Sequence, residues 1–322
     1  MTVGASHGSA PWFSSRLMPL APNPRPVYIP YSLLANASMS RSVHLLIIDP
    51  QNDFCDLPTT YLPTDPLTGQ AVAPALPVPG AHADMQRLAR FIDAAAPSLS
   101  AITVTLDSHH RLDIAHPTFW RTGDGRPVSP FTPITASQVR SGAFQPRHVD
   151  DLPRTLSYLD ELEARGRYTL MVWPVHCEIG TWGHNVHADV RAAYGRWEEE
   201  RQFIVRKVPK GANPWTEHYS ALMAEVPDAD DPRTQLNRNL LDSLDRADLV
   251  IVAGEAGSHC VKATVEHLTE HLPGGNLSRI VLLTDCISPV TGFASAQASF
   301  LTKIRDLGGQ LRTSVDMVRA LA

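Results

Sequence analysis

The chain has 322 residues, enough for one elaborated domain or two small ones. With 28 Lys plus Arg against 33 Asp plus Glu, a formal charge of −5, 43% hydrophobic and 19% charged residues, its composition is globular and excludes disorder over the whole length. The mildly acidic balance lacks the basic stripe that a phosphate backbone needs, so nucleic acid is not an expected partner, and no apolar run approaches the roughly 18 residues of a membrane span.

No basic segment followed by an apolar core and a cleavage site opens the chain, so a cytoplasmic location is expected. Cys55, Cys177, Cys260 and Cys286 lie far apart and form no CxxC pair, which points away from a disulfide scaffold or a cysteine zinc cluster.

In chain order, residues 1–40 read as a Pro-rich arm, since six of the 27 prolines fall in the first 30 residues. A single domain is expected over 41–322. Val43–Ile48 is a short apolar run ending at Asp49, the form of a strand buried on both faces of a parallel sheet. A helix is predicted over His82–Ala96 and a second strand over Ala101–Leu106. Further strands are predicted at Tyr168–Val172, Gln202–Arg206, Leu249–Ala253 and Arg279–Leu283. Helical patterns fall at Leu152–Ala164, His187–Glu200, Leu236–Arg246, Val261–His271 and Ala294–Arg305. This alternation predicts an α/β fold, a doubly wound, mainly parallel six-stranded sheet flanked by helices. Long Pro-rich insertions at 55–80 and 117–150 show little periodicity and read as lids or interface arms, which suit a homo-oligomer.

In open α/β sheets the ligand site lies at the carboxyl ends of the strands. There the sequence places Asp49-Pro-Gln-Asn-Asp-Phe54, Asp107-Ser-His-His110, Trp173-Pro-Val-His-Cys177, Lys207-Val-Pro-Lys-Gly211 and Gly254-Glu-Ala-Gly-Ser-His-Cys260. Cys260 follows a Gly-rich turn and opens a helix, whose dipole is expected to stabilise a thiolate and lower its pKa; backbone N–H groups of the turn can form an oxyanion hole. Asp49 and Lys210 suit the base and the cation that a cysteine nucleophile needs. Asp107, His109, His110, His116 and His176 form a second constellation, fit for a mixed oxygen and nitrogen metal site. Such a donor set suits zinc first, with iron or manganese as alternatives. The other histidines, His184, His187, His218, His267 and His271, read as helix-surface residues.

From about Val43 to about residue 315 the chain resembles the isochorismatase-like cysteine hydrolases, most of all the nicotinamidases (pyrazinamidases). The resemblance is carried by Asp49-Pro-Gln-Asn-Asp-Phe54, Lys210-Gly211 with Tyr219-Ser220, and His259-Cys260-Val261. Asp107-Ser-His109, His116 and Trp173-Pro-Val-His-Cys177 add the metal set that separates nicotinamidases from most of their relatives.

It implies a metal-containing amidase for a small-molecule amide, with NAD salvage as its setting. Cys260, Asp49 and Lys210 would be catalytic, Ala256 and Cys260 would supply the oxyanion-hole N–H groups, and a cis peptide would join Glu255 to Ala256. One divalent metal would be held by Asp107, His109, His116 and His176, and Phe54 and Trp173 would flank the substrate ring. Two departures stand out: the spacing to His116 is one residue longer than the commonest form, and His110 could replace His109 or His116. Another small amide or carbamoyl substrate, or a non-catalytic ligand-binding role, remains the alternative.

Overall fold

The computed structural model describes Met1 and residues 41–322, so the expected arm at 1–40 lies, apart from Met1, outside the described residues. In chain order, β1 (Val43–Ile48) leads through a long loop to α1 (Ala81–Ala95) and β2 (Ala101–Asp107). The next insertion holds β3 (Trp120–Thr122), β4 (Thr132–Ile134), α2 (Ala136–Arg140) and β5 (Phe144–Pro146), followed by α3 (Leu152–Arg165) and β6 (Leu170–Val172). Then come α4 (Ala188–Arg201), β7 (Arg206–Lys210), α5 (Arg238–Asp245), β8 (Leu249–Gly254) and α6 (Cys260–His271). The chain closes with β9 (Ile280–Leu283), α7 (Ala294–Asp306), β10 (Gln310–Arg312) and α8 (Ser314–Leu321).

The main sheet has six strands in the order β10-β9-β8-β1-β2-β7, every pair parallel. β1 and β8 lie at its centre and are buried at every position, which is why both read as unbroken apolar runs rather than alternating ones. On one side α1 packs against α4 and α8. Parallel pairing brings all the carboxyl ends to one rim: Ile48 pairs with Gly254 and Asp107 with Lys210. Gly254 has φ +118, and a Cβ there would lie 1.9 Å from the Ile48 carbonyl oxygen. Only glycine lets the end of β8 approach β1 so closely and carry the following turn against Asp49.

The six-strand expectation holds in number, but two members differ. The run Tyr168–Val172 supplies β6, which pairs antiparallel with β4 outside the main sheet, and the sixth place is taken by β10, whose three residues are too short to show a period. The strand expected at Gln202–Arg206 begins at Arg206, and Phe203 and Ile204 before it are 54% and 89% exposed. The insertion at 117–150 is structured after all: β3 pairs with β5, and β4 lies along β6.

Candidate active site

Four strand ends converge on one buried cation. The Lys210 Nζ lies 2.9 Å from Asp49 Oδ2 and 3.0 Å from Asp107 Oδ1, donates to the His218 carbonyl oxygen at 2.9 Å, and reaches Cys260 Sγ at 3.7 Å. Asp49 is fully buried, with Lys210 and Cys260 only 4% and 5% exposed. The Thr105 hydroxyl donates to Asp49 Oδ1 at 2.5 Å and accepts from the Asp49 N–H at 3.0 Å, fixing a residue whose φ is +41.

The electrostatics correct one expectation. Burial pushes the Cys260 thiol well up, with Asp49 and Asp107 adding to the rise and Lys210 opposing it, the reverse of the lowering expected from its place at a helix start. The raised pKa favours the protonated thiol at rest. Burial also raises the Asp49 carboxyl, against the pull of Lys210. Burial works against the Lys210 ammonium, but Asp107 and Asp49 hold its pKa well above the usual lysine range.

Beside this group, ligand atoms of His109, His116 and His176 lie within 4.8 Å of one another, all buried. Asp107 Oδ2 is 3.2 Å from His109 Nε2 and 3.4 Å from His176 Nε2. His109 Nδ1 is engaged by Asp113 Oδ2 at 3.0 Å and His176 Nδ1 by the Pro174 carbonyl oxygen at 2.8 Å, so both rings turn Nε2 toward Asp107. His109 Nε2 and His116 Nδ1 are buried with no hydrogen-bond partner among the described residues. Burial, helped by His176 and His109, pushes the His116 imidazole down to about 3, so it is neutral and able to ligate. Converging imidazoles with orphaned nitrogens, one carboxylate and an outer carboxylate on His109 fit a divalent metal. Asp49, Asp107 and Cys260 also cluster within 4.8 Å, but that group already holds a cation, the Lys210 ammonium.

His110 is exposed and takes no part, so the ring beside Asp107 is that of His109. Phe54 is buried edge-on to His176, ring centroids 5.4 Å apart. Trp173 is buried edge-on to His259, 5.2 Å away, and its Nε1 donates to the Tyr219 hydroxyl at 3.0 Å. The peptide between Glu255 and Ala256 is cis. Three histidines expected on helix surfaces are buried instead: His187 caps α4, His218 lies behind Lys210, and His267 packs inside α6. All four cysteines are free and buried. Sequence reasoning missed Thr105, Asp113 and the grip of Gln51 on Asp107, whose peptide N–H the Gln51 Oε1 accepts at 2.7 Å. Gln51 stands inside the Asp49-Pro-Gln-Asn-Asp-Phe54 motif and Asp113 inside the Asp107–His116 stretch, but the pattern gives neither a role.

No family model and no curated protein matches the sequence. Solved structures do match in fold. The chain is similar to the yeast nicotinamidase Pnc1p bound to the inhibitor nicotinaldehyde, at 19% identity and TM-score 0.55, covering 84% of this chain and 99% of that one. It is likewise similar to the nicotinamidase–pyrazinamidase of Acinetobacter baumanii, at 17% identity and TM-score 0.55, covering 87% and 99%. PnC1 from L. infantum in complex with nicotinate matches at 20% identity and TM-score 0.50, covering 86% and 94%. At such identities the likeness establishes a shared fold, that of the nicotinamidases.

Proposed function

We propose that the protein is a metal-containing cysteine amidohydrolase that converts nicotinamide to nicotinate and ammonia, the activity named for the solved structures whose fold it shares. The observation that carries this reading is the Lys210 ammonium set between Asp49, Asp107 and Cys260 at 2.9, 3.0 and 3.7 Å.

In this reading Asp49 takes the Cys260 proton, and the thiolate attacks the carboxamide carbon. The backbone N–H groups of Ala256 and Cys260 bind the oxyanion; neither donates to an acceptor among the described residues. The C–N bond breaks as the proton passes from Asp49 to the leaving nitrogen, releasing ammonia and leaving a thioester. Asp49 then deprotonates water, which attacks the thioester; the C–S bond breaks and the thiol is restored with that proton. Lys210 holds Asp49 and Cys260 in place and balances their changes of charge.

Asp107, His109, His116 and His176 would hold the metal, which would supply a Lewis acid for the ring nitrogen of the substrate beside Cys260. Phe54 and Trp173 would flank the ring. One observation favours a second substrate, another small amide: the insertion places Phe131, 54% exposed, edge-on at 6.0 Å to Trp173, a residue proposed to flank the substrate.

The test is ammonia release from nicotinamide by the wild type, by Cys260→Ala and by metal-stripped protein. Release that needs both the thiol and the metal is the expected result. A folded, metal-loaded wild type that releases none sinks the nicotinamide reading and turns the question to other amides. Cys260→Ala with near wild-type turnover sinks the covalent mechanism.

A further inference from the structure

The segment Gln51-Asn52-Asp53 follows Asp49 and supplies none of the candidate ligand atoms, yet it grips the metal set from two sides. Gln51 Nε2 donates to the Asp107 carbonyl oxygen at 2.8 Å and to the His184 carbonyl oxygen at 2.9 Å, while its Oε1 accepts from the Asp107 N–H. One side chain thus pairs both backbone groups of Asp107 where β2 ends. Two residues on, Asp53 Oδ2 accepts from the Cys177 N–H at 2.7 Å, directly after His176, and Oδ1 accepts from the Ala75 N–H at 3.0 Å.

Cys177 has φ +46, a conformation a non-glycine residue keeps only when its surroundings hold it. The carbonyl oxygen of the same Cys177 accepts from the His109 N–H at 3.1 Å. The Cys177 backbone therefore links the Asp53 carboxylate, through its N–H, to His109, through its carbonyl oxygen, with His176 one residue away. Gly183 seals the arrangement: its carbonyl oxygen accepts from the Asp53 N–H at 3.1 Å, and a Cβ there would lie 2.1 Å from Asp53 Oδ2.

We infer that Gln51 and Asp53 are positioning residues of the metal centre, Gln51 through both backbone groups of Asp107 and Asp53 through the backbone of Cys177, whose N–H adjoins His176 and whose carbonyl oxygen holds the His109 N–H. Neither touches the metal or the substrate. The inference rests on the proposed metal site, and loss of groups that orient ligands typically weakens metal binding about 10-fold to 100-fold.

The test uses cobalt(II) added to metal-stripped full-length protein, read by its visible absorption bands, for the wild type, Gln51→Met, Asp53→Asn and Gly183→Ala. Asp53→Asn is nearly isosteric but leaves one of the two N–H groups facing an amide nitrogen. Gly183→Ala displaces the Asp53 carboxylate without changing it, so the two variants disturb the same hydrogen bond in two ways, one by chemistry and one by position. Asp56→Asn is the control, because Asp56 accepts from the Gly80 and His82 N–H groups at 2.8 Å each and has no hydrogen bond to the 173–177 segment. The expected result is a cobalt dissociation constant raised at least about 10-fold, with shifted bands, in the three variants, and wild-type values in Asp56→Asn. Folded Asp53→Asn and Gly183→Ala with wild-type affinity and bands would overturn the inference, as would equal weakening in Asp56→Asn. A wild type that binds no cobalt sinks the metal reading itself, whereas a cobalt-loaded wild type with unaltered variants sinks this inference alone.

Discussion

Lys210 is the side chain on which the site balances. Its ammonium is almost inaccessible and separates two buried carboxylates, so replacing it leaves Asp49 and Asp107 uncompensated in a medium that solvates charge poorly. Lys210→Met is expected to cost about 3 kcal/mol of stability or more as well as nearly all turnover. Cys260→Ala is expected to abolish turnover while changing stability by less than about 1 kcal/mol, since it removes one small buried atom and no charge. Urea unfolding of both variants checks this; a wild-type midpoint for Lys210→Met would show that the ion cluster is not what holds the strand ends. Asp49, Lys210 and Cys260 could be found in the sequence because the nucleophile, base and cation proposed here have few residue types to choose from. Asp113, Thr105 and Gln51 could not, because what they do depends on the atoms they meet. Gln51, for instance, meets Asp107, 56 residues away.

The elements carry a pH dependence of their own. His44, on β1, donates or accepts across to the Thr103 hydroxyl of β2 at 2.8 Å, and burial pushes its imidazole down to about 4. In the unfolded chain the same group titrates near 6.5. Between those values the unfolded state holds the extra proton, so stability is complete above about 6.5 and falls as the pH falls toward 4. Burial acts likewise on His187 and His259, each pushed down to about 4, so the slopes add. His44→Gln keeps a partner for Thr103 and removes one titration. It is expected to lose roughly 2 kcal/mol less stability than the wild type between pH 7.5 and pH 5.0, measured by urea unfolding. An unchanged difference would mean that His44 does not titrate with folding.

The elements also show where periodicity is informative. β1, β8 and β9 were legible because strands covered on both faces must be apolar at consecutive positions, and β2 because its apolar residues alternate with β-branched threonines. β7 was displaced because it is an edge strand, where Lys207 and Pro209 are tolerated with one side unpaired, while the more apolar Phe203 and Ile204 stay outside it. β6 was legible as a strand but not as a member of another sheet, since a partner such as β4 leaves no mark in its own residues.

At the scale of the whole molecule, the metal set joins the stretch after β2 to the stretch after β6, so a bound ion cross-links segments about 60 residues apart. An ion bound only by the folded chain stabilises it; at a hundred times its dissociation constant the gain is about 2.7 kcal/mol. Chelation is therefore expected to lower the melting temperature by about 5 °C or more, with recovery on adding metal back. Calorimetry with and without a chelator checks this, and identical melting curves would count against a metal bound by these residues.

By itself the sequence determined the α/β class, the parallel core and the residue types that gather where the strands end, because burial on two faces and the chemistry of acyl transfer each restrict the choice at single positions. It also gathered Asp107, His109, His110, His116 and His176 as a candidate metal constellation, with His110 left open as a ligand. The tertiary structure decided which neighbours those residues have. It showed that His109 rather than His110 faces Asp107, that burial keeps Cys260 a thiol, and that β10 rather than the Tyr168–Val172 run completes the main sheet. The physical reason is common to all three: pairing, desolvation and ligand geometry are set by atoms far away along the chain, and a linear pattern does not record distance in space.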